Sequence, residues 1–245
     1  DMAAAYHYTT QIDTTGRTYR FSQYEGGIIG SFSEGRFGGI GFGVDNLLEM
    51  KVRDKSDSTA KDKKVKLIEC PRDAMQGIKD FIPTEKKVQY IQALLRVGFD
   101  TIDFGSFVSP KAIPQMQDTA AVLAQLDLSA TTSKLLAIIA NTKGAELAAV
   151  HPEINYLGFP FSISENFQMR NTHKTIAESI VTLQEILEIA DQSKKEVVTY
   201  ISMGFGNPYG DPWNVDIVGE WTERLAMMGV KILSLSDTVG SSTPE

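Results

Sequence analysis

The chain is poor in the residues that build covalent or metal frameworks. It has one cysteine, Cys70, and three histidines, His7, His151 and His173, in 245 residues. One thiol excludes an internal disulfide, and the thin spread of both types excludes a zinc ribbon or finger. Long apolar runs are missing too: no stretch reaches the ~20 residues that a membrane-spanning helix needs. The opening Asp1 to His7 lacks the basic start and apolar core of a secretion signal. Positive charge is in deficit, with 24 Lys and Arg against 31 Asp and Glu and a net charge of −7, so no nucleic-acid partner is expected. No G-x-G-x-x-G phosphate loop occurs either. At 42% hydrophobic and 22% charged, what remains is an ordinary globular composition, enough for one large domain or two small ones. A single thiol suits a reducing, cytoplasmic compartment.

Residues 1–53 differ from the rest. They hold nine of the 20 glycines, and Tyr6, Tyr8, Tyr19 and Phe21 fall at alternating positions, as do Ile40, Phe42 and Val44, then Leu48, Met50 and Val52. Period two predicts strands, with turns near Thr14-Thr15-Gly16 and Ser33-Glu34-Gly35. This short antiparallel β segment resembles a piece of an outer-membrane β-barrel, whose walls alternate in the same way. A small β-meander is the alternative, because alternation describes any half-buried sheet. Residues 54–65 form a charged linker, with four lysines offset by three aspartates between Asp54 and Lys64.

From Val65 onward the pattern changes. Apolar runs at Val65–Cys70, Thr101–Phe104, Leu135–Ala140, Ile154–Phe159, Val197–Met203 and Val230–Leu235 do not alternate, as strands buried on both faces do not. Helical periodicity lies between them. Thr84 is placed to cap a helix whose face is Val88, Ile91, Leu94 and Leu95, ended by Gly98. Ile176, Ile180, Leu183 and Leu187 mark a second helix, and Val215, Val218, Trp221 and Leu225 a third. Strands alternating with helices predict a parallel α/β fold. About six strands and five crossover helices can be counted, against eight of each in a closed (β/α) barrel. An open doubly wound sheet is the other candidate.

The first apolar run stops at Cys70-Pro71 and delivers Arg72, Asp73 and Gln76 to the strand's C-terminal end; the second delivers Asp103-Phe-Gly-Ser106-Phe-Val-Ser-Pro-Lys111, followed by Pro114-Gln115-Met116. These two motifs together resemble the hydroxymethylglutaryl-CoA lyase family. The resemblance covers residues 66–245 and implies a partial TIM (β/α)8 barrel. It further implies a metal-dependent cleavage of 3-hydroxy-3-methylglutaryl-CoA to acetyl-CoA and acetoacetate, with no membrane role for this part and with a homo-oligomer compatible. A condensing synthase of the same superfamily is the nearest alternative, and an inactive chimeric fragment is another. The first 65 residues are surplus to such a family, which makes the segment near Lys64 to Glu69 a candidate junction.

Residue by residue, the resemblance assigns Arg72 to the substrate carbonyl, where it steadies the enolate, and Asp73 to a divalent cation, Mg²⁺ or Mn²⁺. Asp103 and Asp237 become catalytic acids, bases or orienting groups. Gln76, Ser106, Asn141 and Ser234 bind substrate, and Glu69 braces Arg72. The family completes its metal site with a His-x-His pair and an Asn, and supplies a catalytic Cys from a Gly-rich loop. His7, His151, His173 and Cys70 fall on none of those positions. Cys70 beside a strand reads as a small buried hydrophobe. Asn166 and Asn207 read as loop residues that satisfy backbone groups.

Overall fold

The computed structural model describes residues 66–243 in full and, before them, the backbone of six short strands between residues 7 and 43. The linker at 54–65, the turn centres near 15 and 34, and the alternation at 48–52 lie outside the described residues. Strands β1 (His7–Ile12), β2 (Thr18–Tyr24) and β3 (Gly27–Ile29) form an antiparallel sheet in that order, and β4 (Phe32–Ser33) pairs antiparallel with β5 (Arg36–Phe37). The expected antiparallel segment is thus present.

Beyond it runs a half-barrel. Strands β7 (Ile68–Glu69), β8 (Thr101–Ser106), β9 (Lys134–Ile138), β10 (Ile154–Ser162), β11 (Glu196–Ser202) and β12 (Ile232–Leu235) are hydrogen-bonded in chain order, every pair parallel. A doubly wound sheet reverses its order at a switch point. This one never does, which decides for the partial TIM barrel. The β6 strand (Phe42–Gly43) lies antiparallel on β12.

Seven α-helices are described. Five are the expected crossovers: α2 (Thr84–Leu95), α3 (Thr119–Leu123), α4 (Thr142–Ala149), α6 (Ile176–Gln192) and α7 (Val215–Met227). The other two, α1 (Pro71–Gln76) and α5 (Glu165–Thr172), are short helices set into the loops after β7 and β10. Side-chain oxygens start several helices: Asn141 accepts from the Gly144 N–H, Ser164 from Phe167, Asn214 from Ile217, and Thr175 forms a reciprocal capping box with Glu178. Thr84 does not cap α2 as expected. Pro83 holds that position, and the Thr84 hydroxyl donates instead to Asp118 Oδ2 at 2.8 Å.

Both faces of the sheet are buried, which is why its strands do not alternate. Ile102, Phe104, Leu157, Phe159 and Ile201 point outward onto Ile91, Leu95, Leu183, Ile186 and Leu225 of the helices. Full burial of one such side chain stabilises by about 1.5–3 kcal/mol. Leu136, Ile138, Tyr156 and Val198 point to the barrel side, with Tyr200 and Ile232 packed against them. Val215, expected on the inner face of α7, is 76% exposed, because it follows the Asn214 cap directly and the helix has not yet turned onto the sheet.

Candidate active site

At Glu69 β7 ends, and the chain passes through Cys70 into α1, with Pro71 at the first helical position, where its missing N–H is not needed. Arg72, Asp73 and Gln76 therefore ride on a helix at the strand's C-terminal end, which has a consequence. Residues three and four apart share a helix face. Arg72 Nη1 donates to Gln76 Oε1 and to Asp73 Oδ1, both at 3.0 Å, and Gln76 Nε2 donates to the same Asp73 oxygen at 2.9 Å. From the other side, Asp103 on β8 takes Arg72 Nη2 at 2.6 Å and Nε at 3.1 and 3.2 Å. Arg72 is 6% exposed and Asp103 fully buried.

A guanidinium has five N–H donors in a planar fork. Here Nε uses one, Nη1 two and Nη2 one, and the last N–H, on Nη2, has no acceptor among the described residues. Burial opposes the charge on Arg72, but Asp103 and then Asp73 outweigh it and hold its pKa above the ordinary value. Burial pushes the Asp103 carboxyl up while the guanidinium pulls it back. Burial, then the charge of Asp103, raises both the Cys70 thiol and the Tyr200 phenol, which keeps each protonated. The corner therefore combines one firmly held cation, its carboxylate partners Asp103 and Asp73, and two groups that stay neutral, the Cys70 thiol and the Tyr200 phenol.

The remaining expected residues serve the backbone first. Ser106 Oγ donates to the Ile138 carbonyl at 3.3 Å and accepts from the Val108 N–H at 3.1 Å, tying β8 to β9. Beside it, a Cβ on Gly105 would lie 2.5 Å from Thr119 Cγ2, so only glycine lets Thr119 reach the Ser106 N–H at 3.0 Å. Asn141 is the α4 cap, with its Oδ1 2.9 Å from the Gly144 nitrogen. Asp237, almost fully buried, accepts from Ser241 N at 2.8 Å, Ser242 N at 3.0 Å and Ser242 Oγ at 2.6 Å. Both its oxygens are engaged in that turn. Glu69 lies in β7 opposite Ile102.

Ser234 is different. Its buried hydroxyl has no hydrogen-bond partner among the described residues, and its register partner across the ladder is Tyr200. Tyr200 itself was not expected. It hides in the apolar run of β11, and its period-two relation to Val198, on the barrel side, is the signal that could have found it. Asn207 bears out its backbone-satisfying reading, its Oδ1 accepting from Tyr209 N and Asp211 N, whereas the Asn166 amide donates to a side chain, Asp211 Oδ1, at 2.6 Å. His173 ends α5 in the left-handed conformation, φ 55°, and the His151 ring sits 5.5 Å from that of Phe107.

The donor set does not make up a complete divalent-cation site. No group of three or more His, Cys, Asp or Glu among the described residues could hold a metal ion. Asp103 is committed to Arg72, and Asp73, with its side chain 20% exposed, is the one carboxylate at the corner that faces outward.

Comparisons with known proteins return two families. The HMGL-like model matches residues 64–245, and the LptD protein model matches residues 1–90, so the two overlap at 64–90. The mitochondrial hydroxymethylglutaryl-CoA lyase of Bos taurus is 36% identical over 185 residues, which is 74% of this chain and 56% of the relative. Among solved structures, an HMG-CoA lyase of Bacillus subtilis superposes with TM-score 0.70 at 33% identity, covering 74% of this chain and 61% of that one. An HMG-CoA lyase of Acinetobacter baumannii, solved with coenzyme A and 3-methylmalate, superposes with TM-score 0.67 at 31% identity, covering 72% and 57%. The chain thus spans somewhat over half the length of the relatives it matches.

Proposed function

The chain belongs to the HMGL-like family through residues 64–245, and on that premise we propose that it carries the enolate-stabilising part of a hydroxymethylglutaryl-CoA lyase site. The substrate class is a 3-hydroxy-3-methylglutaryl thioester of coenzyme A. The observation that carries this reading is the buried Arg72–Asp103 pair at the C-terminal end of the sheet, with one guanidinium N–H that has no acceptor among the described residues and suits a ligand.

The chemistry is a retro-Claisen cleavage. The tertiary hydroxyl gives up its proton, its oxygen becomes the ketone of acetoacetate, and the breaking carbon–carbon bond leaves its electron pair on the thioester as an enolate. Protonation of that carbon yields acetyl-CoA. Negative charge develops on the thioester oxygen, and a fixed cation placed there stabilises the transition state more than the ground state. Arg72 suits this task because Asp103, Asp73 and Gln76 hold its plane before substrate arrives. The unpaired Ser234 hydroxyl and the protonated Tyr200 phenol are the neutral donors on the barrel side. A divalent cation at Asp73 would act as Lewis acid on the substrate oxygens, and the described residues supply that one ligand. A chain with a single thiol also suits a reducing, cytoplasmic location.

The test uses two readouts on the same chain: binding of 3-hydroxy-3-methylglutaryl-CoA by calorimetry, and acetoacetate release with Mg²⁺ present. Arg72→Gln is expected to weaken binding and to lower any turnover by roughly 10²–10³-fold, with the circular dichroism unchanged. No thioester binding by the wild-type chain would overturn the reading. Condensation of acetyl-CoA with a 2-oxo acid would move it to the synthase branch.

The division at 1–53, 54–65 and 66–245 is also proposed, supported by the start of the HMGL-like match at residue 64, which the LptD match overlaps as far as residue 90. Limited proteolysis should leave a stable core beginning near residue 64. Equal protection on both sides of that point would count against the division.

A further inference from the structure

Gln115 lies in the second motif, yet the chemistry above gives its side chain no task. It is 4% exposed and its carboxamide is fully used. Oε1 accepts from the Ile82 N–H at 2.9 Å, while Nε2 donates to the Ile78 carbonyl at 2.9 Å and to the Asp80 carbonyl at 3.0 Å. All three backbone groups belong to the segment that leaves α1. That helix is only six residues long, with Met75 buried beneath it. Its first turn is fixed by β7 and by the Arg72–Asp103 pair, and its far end depends on what holds residues 77–83.

One acceptor and two donors at fixed spacing are what a carboxamide offers. Glutamate at this position would lack the donors and methionine would lack both kinds of group. The backbone of Gln115 is fixed in turn from α2. Lys87, 2% exposed, donates its ammonium to the Gln115 carbonyl and to Asp118 Oδ1 at 2.6 Å, with its Nζ 4.1 Å from the centre of the Phe81 ring. The second Asp118 oxygen takes the Thr84 hydroxyl at 2.8 Å. A buried ion pair thus anchors the turn Pro114–Met116, and the turn holds the end of α1.

We propose that Gln115 is a positioning residue for the Arg72 corner. It fixes the C-terminal end of α1 and so the direction in which Arg72, Asp73 and Gln76 face. It acts through backbone groups and touches neither Arg72 nor substrate. Its effect on turnover rests on the lyase reading, but its effect on Arg72 does not, and the experiment keeps the two apart.

The test follows the Arg72 Nε–Hε signal in the 245-residue chain with nitrogen-15 in its arginine side chains, identified by its loss in Arg72→Lys. In the wild type this proton should exchange slowly, because it is donated to Asp103. In Gln115→Met the exchange should accelerate by about ten-fold, while the amides of Leu136, Leu157 and Val198 keep their protection. Gln115→Asn retains the carboxamide on a chain one carbon too short and should move exchange in the same direction if the Met variant does not fold. Unchanged Arg72 exchange, in a folded variant whose amides at 78 and 82 have loosened, would overturn the proposal, leaving Gln115 as a holder of its own loop. Where turnover is measurable, kcat should fall while KM holds, since orientation is lost and no substrate contact is. A wild type without turnover but with the expected exchange pattern would defeat the lyase reading and leave the positioning role standing.

Discussion

Arg72 and Lys195 are both cations buried against the same parallel sheet, one beyond the C-terminal end of β7 and one just before β11. They are 6% and 8% exposed, so burial does not distinguish them. Their partners do. Arg72 is surrounded by carboxylates and its charge is reinforced. Lys195 donates to two backbone carbonyls, His151 at 2.6 Å and Ile154 at 2.7 Å, and burial pulls its pKa below the ordinary lysine value. The first cation is kept charged by its carboxylate partners, at the corner proposed to meet substrate. The second closes the end of α4 and the start of β10, where any strong donor would serve.

The comparison can be broken most directly at Asp103. Asp103→Ala leaves a buried guanidinium without its main counter-charge and should cost about 3–5 kcal/mol in denaturant unfolding. Lys195→Met removes donors from two carbonyls and should cost less, about 1–3 kcal/mol. The reverse ranking would mean that the base of the sheet, not the mouth, holds the critical charge. Thr199→Val sharpens the contrast between the sheet's faces. Its buried hydroxyl, on the helix side, has no partner among the described residues, and removing it should gain about 1 kcal/mol. Ser234→Ala should gain stability similarly but lose thioester affinity, because its hydroxyl faces the barrel side. Equal ligand binding by both variants would erase that distinction.

The smallest effect is in pH. Because the folded value of Lys195 lies below 10.5, the unfolded chain binds more protons in the window just under that value, and this group's contribution to stability rises as pH climbs through it. The deficit of Lys195→Met should therefore widen as pH rises toward 10.5. A constant deficit would mean that the lysine titrates normally.

The parallel strands and their crossovers were legible because strands buried on both faces lose alternation while helices keep a period near 3.6. Arg72, Asp73, Gln76 and Asp103 were legible because a strand's C-terminal end delivers polar groups to one opening, and the structure joins all four. Asn141, Ser106 and Asp237 look alike in sequence whether they face a ligand or a backbone N–H, and here their oxygens are taken by the chain. Thr84 failed as a cap because Asp118, 34 residues away, competes for its hydroxyl. Tyr200, Lys87 and Gln115 were hidden for a related reason: their roles depend on groups brought near only by folding.

The chain-order pairing of the strands has a kinetic meaning. From β8 to β12 each strand pairs in parallel with the one made just before it, so these pairings close one crossover at a time, the contact of β6 with β12 being the long-range exception. The Arg72–Asp103 bond spans 31 residues and the Gln115–Ile82 bond 33. Both close within the first two strand–helix units to be synthesised. A chain growing from the ribosome can therefore assemble the guanidinium corner, with the clamp that aims it, while β9 to β12 are still unmade.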